Sequence, residues 1–168
     1  KYQEVISRPD FLKVVCTIVA KIFNIFNPSH AFFGEKDAQQ LHIIKKMIAD
    51  MNYAITLVPC PTIRDEQGLA LSSRNKYLRS AEQKQAALIY RSLMRVKDAL
   101  DGGQKNAAVL KEVFKNSLIG ASGFRIDYLS IASSQTLEEV QIVDRDILVS
   151  AAVFFGNIRL IDNFSYAA

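Results

Sequence analysis

The stretch AFFGEKDAQQLHIIKKMIADMNYAITLV, residues 31–58, decides the fold class. Ala31-Phe32-Phe33 reads as a short apolar strand, and Gly34 ends it. From Asp37 onward Leu41, Ile44, Met47 (or Ile48) and Met51 recur at three-to-four-residue spacing, which predicts an amphipathic helix. Asn52 suits the helix end, and Tyr53 to Val58 reads as a second strand. Upstream, Phe11 to Phe26 carries apolar residues at 11, 15, 18, 22 and 26, predicting a helix buried along that face. Asn27-Pro28-Ser29 stops it, because proline lacks an N–H and restricts the residue before it. Helix, strand, helix, strand with short joints is the pattern of a parallel sheet flanked by helices.

Two strands are few for such a sheet. Buried parallel strands need partners on both sides, and a doubly wound sheet normally has about five or six strands. The reading therefore expects further strands upstream, and the first residue is Lys1 rather than a methionine. Downstream the pattern changes. Ser80-Ala81-Glu82-Gln83 resembles a capping box, and a long helix is expected from Ala81 to Gly102-Gly103. A second helix fits Lys105 to Leu118, and Phe124 to Ile131 alternates like a half-buried strand. Ile147 to Phe155 and Ile158 to Phe164 flank Gly156-Asn157, a two-residue hairpin signal. The expected architecture is α/β followed by α+β: a partial Rossmann-like parallel sheet over residues 1–75, then a smaller domain of helices and a three-stranded antiparallel sheet over 76–168.

Composition narrows the function classes. The chain has 168 residues, 49% hydrophobic and 23% charged, which excludes a disordered or collagen-like protein. Its net charge of +4 comes from 21 Lys+Arg against 17 Asp+Glu. The basic residues are mixed with acids, as in Lys84 to Asp101, so a solvated surface is favoured over a nucleic-acid track. Lys13 and Lys21 interrupt the longest apolar run before it reaches the ~18 residues of a membrane span, and no signal peptide is evident. A cytoplasmic protein without membrane or nucleic-acid partners is expected. Cys16 and Cys60 fit neither a disulfide framework nor a Cys-x-x-Cys metal site, and Cys16 reads as a buried thiol.

Two segments carry candidate chemistry. In open α/β sheets ligands bind at the carboxyl ends of strands, where helix amino ends present free N–H groups. Gly34-Glu35-Lys36-Asp37 occupies such a junction: Gly34 permits close backbone approach, Lys36 adds positive charge, and Asp37 either caps the helix or binds a ribose. Read alone, it is better explained as a glycine turn with a capping aspartate and an exposed lysine. Gln40 lies four residues beyond Lys36, on the same side of the helix, with Gln39 on another. The second segment, Arg64-Asp65-Glu66-Gln67-Gly68-Leu69-Ala70-Leu71-Ser72-Ser73-Arg74-Asn75, is a polar loop after a strand. Ser72, Ser73 and Arg74 suit phosphate oxygens, although an ordinary hydroxyl-rich linker fits as well. His30 and His42 form neither a metal pair nor a base–nucleophile dyad.

Taken in order, FFGEKDAQQL, VPCPTIRDEQGLALSSRNKYL and SAAVFFGNIRLIDN resemble the pantothenate synthetase family over nearly the whole chain, most strongly at residues 31–79 and 146–163. The resemblance implies an adenylating ligase of the nucleotidyltransferase superfamily. Such enzymes condense pantoate with β-alanine through a pantoyl-adenylate, using ATP and releasing AMP and pyrophosphate. Position by position it implies ATP contacts at Gly34, Glu35, Lys36 and Asp37, a backbone contact to adenine at Ile63, and a phosphate loop at Leu71, Ser72, Ser73 and Arg74 related to the synthetase KMSKS motif. Gln40 matches a pantoate-binding glutamine. Lys36, Ser72, Ser73 and Arg74 would be the catalytic set. A cytoplasmic homodimer is implied, with Mg2+ accompanying ATP on ligands outside this chain.

The family's His-x-Gly-His motif has no counterpart in these residues. Arg8-Pro9-Asp10-Phe11-Leu12-Lys13-Val14-Val15 stands where the family commonly has RPGHFRGV, with Phe11 in place of the histidine, and Ala38 replaces a usual aromatic. The chain is thus expected to be the carboxyl-terminal part of such an enzyme and inactive alone. The rival expectations are a fragment of an RNA-handling adenylating synthetase and a non-catalytic interaction domain.

Overall fold

The computed structural model describes residues 11–168, and the segment Arg8 to Asp10 of the family departure lies outside them. The chain divides into two compact units between Thr62 and Ile63. The sequence pattern places the junction near Asn75 to Arg79. The difference has a physical cause: the Ile63–Tyr77 segment makes its bonds downstream. Arg64 pairs with Asp162, Leu69 and Leu78 join the second unit's core, and Gln83 donates to the Asn75 carbonyl.

The first unit begins with α1 (Phe11–Phe26). Asn27, at φ +42, turns the chain out of it and donates its N–H to the Phe23 carbonyl. β1 (His30–Gly34), a 3-10 turn (Glu35–Asp37), α2 (Ala38–Asp50) and β2 (Thr56–Cys60) follow. β1 and β2 are parallel, with Ala31 beside Leu57 and Phe33 beside Pro59. β2 thus begins later than the expected Tyr53, because Asn52 at φ +53 and the bond from Tyr53 N–H to the Ile48 carbonyl complete the end of α2 first.

The core of this unit is Phe23, Ala31, Ile44 and Ile55. Ile44 is the fully buried member of the predicted α2 stripe, whereas Met51 is exposed. The expected buried face of α1 is corrected. Leu12 and Phe23 are buried with Val15, Cys16 and Val19 half-buried, while Ile18, Ile22 and Phe26 are exposed. The helix is apolar on several sides, so periodicity alone does not choose the face that packs on α2.

In the second unit a 3-10 turn (Ser73–Tyr77) leads to α3 (Ser80–Ala86), α4 (Leu88–Asp101) and α5 (Ala107–Leu118). The expected single long helix is therefore two, interrupted at Ala87. The predicted capping box is shifted by one residue: Glu82 accepts from the Arg79 N–H at 2.7 Å. Asn106 caps α5, its Oδ1 accepting from Ala108 N–H and Val109 N–H. β3 (Phe124–Ser133), β4 (Ile147–Phe155) and β5 (Ile158–Tyr166) form an antiparallel sheet in that order, with the expected two-residue turn at Gly156-Asn157 and an irregularity between Ile126 and Tyr128. α4 packs on α5 and β5, and α5 on β3. Leu93, Val96, Leu110, Phe114, Ile131, Val149 and Val153 form the centre of this core with no exposure.

Candidate active site

The candidate residues fall on both units. In the first, Gly34 closes β1 with ordinary extended geometry, φ −70° and ψ 135°, so no backbone strain demands glycine there. A Cβ at Gly34 would meet nothing within 4 Å, and the backbone is open to close approach. Glu35, Lys36 and Asp37 form the 3-10 turn at the carboxyl end of β1. Asp37 caps α2, its Oδ1 accepting from the Gln40 N–H at 3.3 Å. Of the two readings of Asp37, the cap is thus observed. Gln39 is buried and Gln40 half-buried, so the two amides face different surroundings. Lys36 and Ala38 are half-buried.

In the second unit, Ile63–Asn75 is a tight double-ended loop. Arg64 and Ala70 form an antiparallel bridge, and Leu71 N–H donates to the Ile63 carbonyl at 2.9 Å. This pairing sets Ile63 and Leu71 side by side, 71% and 52% exposed. Two adjacent, uncovered apolar side chains suit the face of a flat ring. Ser72 Oγ accepts from Arg74 N–H at 3.2 Å, turning the chain into the 3-10 segment. Ser73 and Arg74 are exposed. Arg74 has no ion-pair partner among the described residues, leaving its planar donors available to an anion.

The loop's other guanidinium behaves differently. Arg64 Nη1 and Nη2 donate to Asp162 Oδ2 and Oδ1 at 2.6 and 2.9 Å, and Nη1 also donates to the Gly68 carbonyl at 3.1 Å. The Arg64 guanidinium carbon lies 3.8 Å from the centre of the Tyr90 ring. Of the loop's two arginines, Arg74 is exposed and Arg64 is held internally. The sequence reading missed Asp162 and Tyr90, which lie far along the chain from Arg64 and carry no local signal.

The remaining titratable candidates sit elsewhere. Burial, then the charges of Lys45 and Lys46, hold the His42 imidazole below its ordinary pKa. His30 contacts Ser29 Oγ at 3.0 Å on the surface. Cys16 is half-buried rather than fully buried, and burial raises its thiol pKa. Among the described residues, no group of three or more His, Cys, Asp or Glu side chains is arranged to hold a metal ion, and no helix is long and apolar enough to cross a membrane. A cavity of about 320 Å³, with Ser133, Glu139 and Arg145 in its lining, includes none of the candidate residues.

Comparison with known proteins gives one consistent result. A family model described as Pantoate-beta-alanine ligase matches residues 1–165. The pantothenate synthetase of Clostridium botulinum strain 657 is 46% identical over 160 residues, covering 95% of this chain and 57% of that protein. The pantothenate synthetase of Ruminiclostridium cellulolyticum is 47% identical over 161 residues, with 96% and 57% coverage. The crystal structure of pantothenate synthetase from Thermus thermophilus superimposes with a TM-score of 0.90 at 36% identity, over 96% of this chain and 58% of that one. Pantoate-beta-alanine ligase from Francisella tularensis, complexed with beta-gamma ATP and beta-alanine, gives a TM-score of 0.64 at 31% identity, with coverages of 94% and 51%. The chain thus spans 57% of the length of these curated relatives.

Proposed function

Since the chain belongs to the pantoate–β-alanine ligase family, we propose that it supplies the carboxyl-terminal part of an enzyme that joins pantoate to β-alanine at the expense of ATP. The first unit, through Thr62, would belong to the Rossmann-like ATP-binding domain, and Ile63–Ala168 would form the small α+β domain. The observation that carries the phosphate chemistry is the outward-facing Ser73 and Arg74, beside the exposed Ile63–Leu71 pair. This reading gives adenine the Ile63 backbone and the apolar pair, and gives the phosphates Ser72, Ser73 and Arg74. Gly34, Glu35, Lys36 and Asp37 supply the second set of ATP contacts, and the Gln40 amide donates to and accepts from pantoate.

In the first step a pantoate carboxylate oxygen attacks the α-phosphorus, and the bond to the bridging oxygen breaks, releasing pyrophosphate. In the second the β-alanine amine attacks the acyl carbonyl, loses a proton, and AMP departs with the bonding pair. No covalent bond to the protein forms, so the chain contributes positioning and charge stabilisation. Lys36 and Arg74 offset negative charge gathering on the phosphoryl oxygens, and Ser72 and Ser73 donate hydroxyl hydrogen bonds. Mg2+ would accompany ATP on ligands outside this chain. A cytoplasmic homodimer completes the proposal.

The test is AMP formation from ATP, pantoate and β-alanine by the full-length enzyme. Lys36→Ala is expected to lower kcat/KM by about 10²–10³, the loss typical of one preorganised charge-stabilising donor. An unchanged kcat/KM removes Lys36 from the site. The 168-residue chain alone is expected to form negligible AMP. AMP at a rate typical of an intact enzyme would sink that expectation.

A further inference from the structure

We infer that Arg64 is a positioning residue whose clamp by Asp162 and Tyr90 holds the Ile63–Arg74 loop in its nucleotide-binding form; this rests on the ligase reading of that loop. Arg64 is drawn inward, its side chain 19% exposed and that of Asp162 5%. Its Nη1 and Nη2 donate to both Asp162 oxygens and to the Gly68 carbonyl, which turns the guanidinium fork toward Asp162. Such a pair repays its desolvation only when its geometry is fixed, which makes it a device for selecting one arrangement of the chain.

A chain of further hydrogen bonds connects Arg64 to the exposed residues. Asp65 Oδ1 accepts from Gln67 N–H and Leu69 N–H, both at 2.9 Å, and Gly68 N–H donates to the Asp65 carbonyl. Gly68 adopts φ +94°, and a Cβ there would lie 2.7 Å from Tyr90 Cδ1, so the loop tip rests against the ring on which Arg64 stacks. From Arg64 the bridge to Ala70 aligns Ile63 with Leu71. Asn75 Nδ2 then holds the Ala70 carbonyl at 3.1 Å, and Gln83 Nε2 holds the Asn75 carbonyl. Both ends of the phosphate stretch are thereby anchored, one through β5 and α4, the other through α3.

Two variants test the clamp. Asp162→Asn keeps the shape and removes the charge; Arg64→Lys keeps the charge and removes the fork. In the 168-residue chain, amide hydrogen exchange at Leu69 and Leu71 is expected to rise roughly tenfold in each variant, while β4 amides stay protected. In the full-length enzyme, KM for ATP is expected to rise roughly tenfold with a smaller change in kcat, the sign of lost nucleotide positioning rather than lost chemistry. Unchanged exchange at Leu69 and Leu71 overturns the clamp. Raised exchange with an unchanged KM for ATP overturns its link to the nucleotide, as does exchange rising throughout β4, which marks a purely structural pair. A wild-type enzyme that consumes no ATP overturns the ligase reading and the nucleotide role together, with the exchange arm separating that failure from a failure of the clamp.

Discussion

The second unit has a broad core in which α4 and α5 lean on a three-stranded sheet; the first has Phe23, Ala31, Ile44 and Ile55. Around the smaller core, Val14, Ile18, Ile22, Ile25 and Phe26 of α1 remain exposed, and so does Phe32 of β1 at 67%. All-parallel sheets occur almost only where both faces are covered. The contrast teaches that the second unit closes its own core with residues in hand. The first leaves apolar surface uncovered among the described residues, in keeping with a chain that spans 57% of its relatives.

The sharpest way to break this comparison is to hollow each core in turn. Phe114 is fully buried between α5 and its neighbours, and Phe114→Ala is expected to cost about 3–5 kcal/mol, read from denaturant unfolding. Ile44→Ala removes the fully buried residue of the small core, with an expected cost of about 2–3 kcal/mol because thinner packing relaxes more readily. A larger loss at Ile44 than at Phe114 would reverse the ranking. Next comes the α5 cap: Asn106→Ala leaves Ala108 N–H and Val109 N–H unpaired and is expected to cost about 1 kcal/mol, seen as a shift in denaturation midpoint.

The smallest effect belongs to His42 in the first unit. Its pKa is held down first by burial and then by Lys45 and Lys46, so the unfolded chain takes up the proton more readily. The stability contribution is therefore full above the unfolded value of about 6.5 and is lost as pH falls below it. The imidazole is only half-buried, and solvent screening keeps the effect slight. Between about pH 7.5 and about 5.5 the Tm is expected to fall, and less so in His42→Gln. An equal fall in both proteins would remove His42 as the source.

What could be read from the residues follows the same division. The hairpin at Gly156-Asn157, the α5 helix and the β1–α2–β2 order were legible because turn chemistry and periodicity are local. The face of α1 was not, since a helix apolar on several sides takes its orientation from what it packs against. The break at Ala87 was equally hidden, with no proline or glycine to mark it. In the candidate site, the strand-to-helix turn that carries Lys36 and the loop that carries Ser73 and Arg74 followed from local pattern. The separate fate of Arg64 did not, because its partner Asp162 arrives from the far end of the chain.

Pro59, paired with Phe33 in the parallel sheet, has no N–H to offer a neighbouring strand. A proline inside a strand belongs at a sheet boundary, where its missing N–H asks nothing of a neighbour. The outer edge of β2 is thus a poor template for a further strand.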